Sequence, residues 1–142
     1  MVKFKKILLP VDGSKSSRKA MDNAVNLSTI MGAEILLLYV TGGIPKFIKG
    51  KPLEEAEKAQ KEEADQVLVP YHSFLNENKV KYSVMVVPGF SPWSTICHVA
   101  QDKGCDLIVM GSRGLGDWEG AMLGSVTHRV LAHCTIPVFV VH

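Results

Sequence analysis

The sequence predicts an α/β fold, a single-domain open parallel five-stranded sheet with helices on both faces. Three observations predict it. Short runs such as Ile7-Leu8-Leu9, Ile35 to Leu38 and Leu107 to Met110 are apolar without alternation, as strands are when both faces are covered. Between them lie segments whose apolar residues recur every three or four positions, the helical spacing. Strand and helix then alternate from end to end, the pattern that builds parallel sheets. At 142 residues, with 46% apolar and 21% charged side chains, the chain suits one globular domain over residues 1–142 with a core of its own.

Each element has its local reason. Phe4 to Val11 reads as the first strand. Ser14 is placed to cap a helix whose residues Ala20, Met21, Ala24, Leu27, Ser28 and Met31 form one face, and Gly32 stops it. Glu34 to Val40 is the second strand. Thr41 to Pro52 collects three glycines, two prolines and three lysines, the composition of a mobile loop. A long helix follows, with Leu53, Ala56, Gln60, Ala64, Val67, Leu68, Tyr71 and Leu75 on one face and a glutamate-rich solvated face opposite. Pro70 is expected to kink or break it, because proline lacks the N–H and clashes one turn back. Lys81 to Val87 is the third strand. Ser91-Pro92 opens the next helix, cap then proline, and Gly104 closes it. Asp106 to Met110 is the fourth strand, Ser125 is placed to cap a last helix through Ala132, and Ile136 to Val141 is the fifth strand.

Composition excludes several functions. A net charge of +2 gives no electrostatic footprint for nucleic acid or for a membrane surface, and the lysine groups at 3–6 and 46–51 read as solvated segments. Ile7 to Val11 is far too short for a membrane span. Cys97, Cys105 and Cys134 form no C-x-x-C pair, so reduced thiols in a cytoplasmic protein are expected. His98, His128 and His133 follow no metal-ligand spacing, and Ser112 and Ser125 lie in no G-x-S-x-G elbow, so no catalytic residue and no protein-held metal is assigned.

In a parallel sheet of this kind ligands bind beyond the carboxyl ends of the strands, which directs attention to Val11-Asp12-Gly13, Val40-Thr41-Gly42, Pro88-Gly89 and the segment from Gly111. That last segment, Gly111 to Ser125, holds five glycines in fifteen residues. Glycine lets backbone amides approach an oxyanion, and the segment feeds a helix N-terminus, where unpaired N–H groups and the macrodipole favour phosphate. Ser125 adds a hydroxyl and Arg113 a guanidinium. From composition alone the segment is also readable as a flexible loop whose glycines merely permit turns. It is neither a G-x-x-x-x-G-K-[ST] loop nor a G-x-G-x-x-G fingerprint, which disfavours NAD. Trp118 and Glu119, bulky and acidic, are expected to face solvent. Asp12 has three readings: general base, ribose ligand, or cap of the first helix.

These motifs together resemble the universal stress protein family over the whole chain. Pro10-Val11-Asp12-Gly13-Ser14 looks like that family's first strand end, Gly111-x2-Gly114-x9-Gly124-Ser125 like the pattern of its ATP-binding members, and Thr135 to Val141 like its closing strand. The resemblance implies an adenine nucleotide alpha hydrolase-like, Rossmann-like sheet of strand order 3-2-1-4-5. It implies ATP, with Mg or Mn held through the phosphates, beside Pro10, Val11 and Val40. Asp12 would hold adenosine, Met110 and Gly111 would lie by the ribose, and Arg113, Gly114, Gly124, Ser125, Val126 and Thr127 would serve the phosphates. It also implies a homodimer through Val138 to Val141, which would cover an otherwise bare apolar edge. The resulting expectation is an ATP-binding stress-response regulator without dedicated catalysis. Its alternatives are a slow ATP-hydrolysing or nucleotidyl-transferring enzyme and a nucleotide-free dimeric interaction module.

Overall fold

The computed structural model describes residues 3–117 and 122–142. In chain order the elements are β1 (Lys6–Val11), α1 (Lys15–Met31), β2 (Glu34–Gly42), α2 (Lys51–Glu77), β3 (Tyr82–Gly89), α3 (Pro92–Asp102), β4 (Leu107–Gly111), α4 (Ser125–His133) and β5 (Val138–Val141). All strand pairings are parallel and the sheet order is β3-β2-β1-β4-β5, as expected.

The period of two along each strand divides the core into two layers. Ile7, Leu9, Val11, Ile35, Leu37, Leu107 and Val109 face α1 and α2, meeting Ala20, Ala24, Leu68, Tyr71 and Leu75. Leu8, Leu36, Leu38, Ile108 and Met110 face the other way, against Ile96, Val99 and Ala100 of α3 and Val130 of α4. Because β1 is followed on one side by β2 and on the other by β4, the connections diverge there. The carboxyl ends of β1 and β4 therefore flank a crevice, and Asp12 and Gly111 stand on its two sides.

Several local expectations hold and others are corrected. The Ser14 hydroxyl accepts the Ser17 amide at the start of α1, and Gly32 is its left-handed C-cap at φ 69°. Strands β2 and β3 run on to Gly42 and Gly89, because pairing continues through Thr41–Pro88 and Gly42–Gly89. Only residues 43–50 then connect β2 to α2. Pro70 does not break α2, which is continuous from Lys51 to Glu77. Ala64 and Leu68 before the proline and Tyr71 and Leu75 after it are all buried on the sheet. Burying such side chains gains roughly 1.5–3 kcal/mol for each large one, enough to offset the ~3 kcal/mol an interior proline costs.

The thiol expectation fails for two of the three cysteines. Cys97 on α3 and Cys134 at the end of α4 form a disulfide, with Cα atoms 5.4 Å apart, while Cys105 is free and buried. The pair is 37 residues apart in sequence, so spacing gave no hint; α3 and α4 become neighbours only by covering the same sheet face. Trp93 and His133 stack across the same seam, ring centres 4.6 Å apart. Among the described residues no helix is long and apolar enough to cross a membrane.

Candidate functional site

A cavity of about 290 Å³ opens at the divergence of β1 and β4. Its floor is apolar: Val11, Leu38, Ile96 and Met110 are each no more than 6% exposed. Pro10, Val40 and Pro92 continue that wall, and Asp12, Arg113, Gly114, Leu115, Asp117 and Ser125 with Val126 and Thr127 form the polar rim. Every residue expected to serve a ligand lines this cavity except Gly124. Gly124 sits immediately beside it as the N-cap of α4.

The β1 side is fixed by what lies behind it. Asp12 Oδ1 accepts the Ser14 amide at 2.9 Å, which makes the carboxylate part of the turn into α1. The Tyr71 hydroxyl, from a fully buried side chain of α2, accepts the Gly13 amide at 3.1 Å and bonds the Ser17 hydroxyl at 2.5 Å. Burial pushes the Tyr71 phenol above its ordinary value, although the Ser17 and Gly13 bonds pull the other way, so the ring enters this network neutral. The general-base reading of Asp12 gains nothing from these contacts: both carboxylate oxygens are committed to backbone amides, the second accepting from Leu115 at 3.0 Å.

The loop side depends on close backbone approach. At Gly111 a Cβ would lie 2.6 and 2.7 Å from the Ser16 carbonyl carbon and oxygen, so only glycine lets β4 end against the first turn of α1. Ser16 also receives the Arg113 amide at 3.2 Å. At Gly124 a Cβ would overlap the Asp117 carboxylate and come 3.0 Å from the Arg113 Cα. The Gly124 amide itself donates to the Ser112 carbonyl at 2.6 Å, which draws the two ends of the glycine-rich segment together.

This geometry corrects one assignment. Ser125 is not the cap of α4 but its first helical residue; Gly124 occupies the cap and supplies no side-chain bond. The amides of Ser125, Val126 and Thr127 therefore open the helix without a side-chain acceptor at its cap, the arrangement that favours an anion. Thr127 is 3% exposed and its hydroxyl donates to the Gly111 carbonyl at 2.8 Å, which ties α4 to the end of β4. Trp118 and Glu119, expected to face solvent, lie outside the described residues.

Sequence reasoning passed over Ser17, Leu38, Pro92, Ile96, Leu115 and Asp117 as cavity residues. Leu38 was recoverable, since it lies two positions before Val40 on the same strand face. Asp117 carried a signal too: an acid three residues beyond Gly114 in a turn can bond back to that backbone. Tyr71 carried none, because its place under the β1 turn arises from how α2 crosses the sheet.

Comparison with known proteins agrees with this architecture. Residues 3–142 match the model of the universal stress protein family. The chain is 35% identical to universal stress protein MJ0531 of Methanocaldococcus jannaschii, over 97% of this chain and 82% of that one. The solved structure of MJ0577, from the same organism, superposes with a TM-score of 0.83 at 32% identity, covering 99% of this chain and 96% of that one. A universal stress protein family protein from Arabidopsis thaliana, solved with AMP bound, gives a TM-score of 0.70 at 21% identity over 96% and 90% of the two chains, a likeness of fold. A family match across nearly the whole length, a relative above 30% identity and a close superposition on MJ0577 lead to one conclusion: the chain belongs to the universal stress protein family.

Proposed function

We propose that this protein binds ATP, with Mg²⁺ or Mn²⁺ carried by the phosphates, and acts as a stress-response regulator rather than as a dedicated enzyme. The observation that carries the reading is the division of one cavity into an apolar floor and a rim of backbone donors at a helix N-terminus. Adenine matches the floor of Val11, Leu38, Val40 and Met110, with Pro10 at its edge. The ribose falls beside Asp12, Met110 and Gly111. The phosphates fall to Gly114, Gly124 and the opening of α4 at Ser125 to Thr127, with the Arg113 guanidinium alongside. No lysine is required, because charge-assisted backbone bonds contribute about 1.5–3 kcal/mol each. The AMP in the Arabidopsis thaliana structure is an adenine nucleotide on this same fold, which supports the ligand class.

A homodimer through β5 belongs to the same proposal. Val138–Val141 is the edge strand of the sheet, and Phe139 on it is 42% exposed. A second copy pairing there would cover an apolar edge.

The test is to denature the purified protein and identify the released small molecules by mass spectrometry, alongside a thermal-shift titration with ATP and Mg²⁺. Release of an adenine nucleotide, or a rise in Tm with ATP, is expected. Absence of both would overturn the reading. Sustained phosphate or AMP release above about 1 per second, an ordinary enzymatic turnover, would make the protein an enzyme instead.

A further inference from the structure

Within the glycine-rich loop, the position suited to an anion is taken by the chain itself. Asp117 Oδ2 accepts the Gly114 amide at 2.6 Å. The same oxygen lies against Gly124, where a Cβ would collide with it. The Asp117 amide turns back to the Gly114 carbonyl at 3.4 Å, and Gly116 takes φ 76°, so a tight turn delivers the carboxylate to this spot. Gly114 and Gly124 are two points of the loop at which the backbone, lacking a Cβ, lets this oxygen come close. Next to them α4 begins without a side-chain cap.

A carboxylate oxygen and a phosphoryl oxygen make the same demands: N–H donors, no Cβ in the way, and the positive end of a helix. Asp12 Oδ2 also stands beside Gly114, 2.6 Å from where its Cβ would lie. Asp12 differs from Asp117 in its bonds: its oxygens accept the Ser14 and Leu115 amides, whereas the Gly114 amide goes to Asp117.

We propose that Asp117 is a resident substitute for a phosphoryl group and that it determines which nucleotides the site accepts. This rests on the nucleotide reading above. In the free chain the Asp117 carboxylate occupies the loop's anion position, and a phosphate chain that reaches Gly114 and Gly124 displaces it into solvent. Adenosine does not extend that far and is bound without regard to Asp117. Each phosphate that reaches the position competes with it, so the residue tunes discrimination by phosphate-chain length.

The opposite role is equally definite in its consequences: if Asp117 held the divalent cation of a metal–nucleotide complex, its removal would weaken binding only when metal is present. Calorimetric titration of the wild type, Asp117→Asn and Asp117→Ala with adenosine, AMP and ATP, each with Mg²⁺ and with EDTA, separates the two. Asn keeps the shape and removes the charge; Ala removes the occupant. Expected is ATP binding at least roughly ten-fold tighter in Asp117→Ala, the loss of one competing charge-assisted bond, in EDTA as well as in Mg²⁺. Adenosine affinity is expected to stay within about two-fold on the same reasoning. Unchanged or weaker ATP binding in the Ala variant would overturn the proposal, as would an equal gain for adenosine. Inorganic pyrophosphate, followed by thermal shift on the same proteins, keeps the two readings apart. If no adenine compound binds the wild type, the nucleotide reading falls. Tighter pyrophosphate binding to Asp117→Ala would still uphold the displaced carboxylate, and equal binding would refute it.

Discussion

The two sides of the cavity are held in different ways. On the β1 side, Val11, Leu38 and Met110 are wedged between the sheet and its helices, and Tyr71 reaches from α2 to pin the turn after β1. On the loop side the amides of Gly114 and Leu115 answer to carboxylates at the rim, and Leu115 and Met122 are 69% and 84% exposed. Packing fixes the first side whether or not anything is bound. At the second, the Gly114 amide is held by a carboxylate that another anion can replace. A pocket built this way recognises shape at one end and charge at the other.

The sharpest way to break that contrast is Gly124→Val. Its Cβ would collide with Asp117 and crowd the Arg113 backbone, closing the approach to the α4 N-terminus. ATP binding is expected to fall at least ~100-fold, the loss of two or more charge-assisted bonds, with an unchanged circular dichroism spectrum. Adenosine should still bind, and its loss would show that the two sides are not separable. Next in size is Asp12→Ala, which acts on the other side. Adenosine and ATP should weaken alike, by about ten- to a hundred-fold in calorimetry; a loss confined to ATP would move Asp12 to the phosphate end. The smallest effect on the ligand is expected from Tyr71→Phe. It leaves the Gly13 amide and the Ser17 hydroxyl without their shared partner, a stability loss of roughly 1–3 kcal/mol. A fall in Tm of several degrees should appear with nucleotide affinity nearly unchanged, and a large drop in affinity would mean that the β1 side is not fixed by packing alone.

Much of this was legible in the sequence because it is local. Unbroken apolar runs gave the strands, Ser14 and Gly32 marked the ends of α1, and glycines at 111, 114 and 124 marked the loop. What escaped depends on elements distant in sequence. Pro70 looks like a break until its neighbours Leu68 and Tyr71 are seen anchored to the sheet. Cys97 and Cys134 look unrelated until two helices lie side by side. Asp117 drew no attention, and its carboxylate reaches the Gly114 amide through a turn of four residues.

The bond between Cys97 and Cys134 has a topological consequence for the loop. It closes a covalent ring that contains β4, the entire glycine-rich segment and α4, with only Thr135 onward as a tail. A protease that cuts once at exposed Leu115 or Met122 would open the backbone without releasing β5. The nicked molecule would keep its edge strand tethered and would migrate as one species until a thiol reductant separated the two pieces. For a cut inside this segment, therefore, the fragment that carries β5 separates from the rest of the chain only when the disulfide is broken as well.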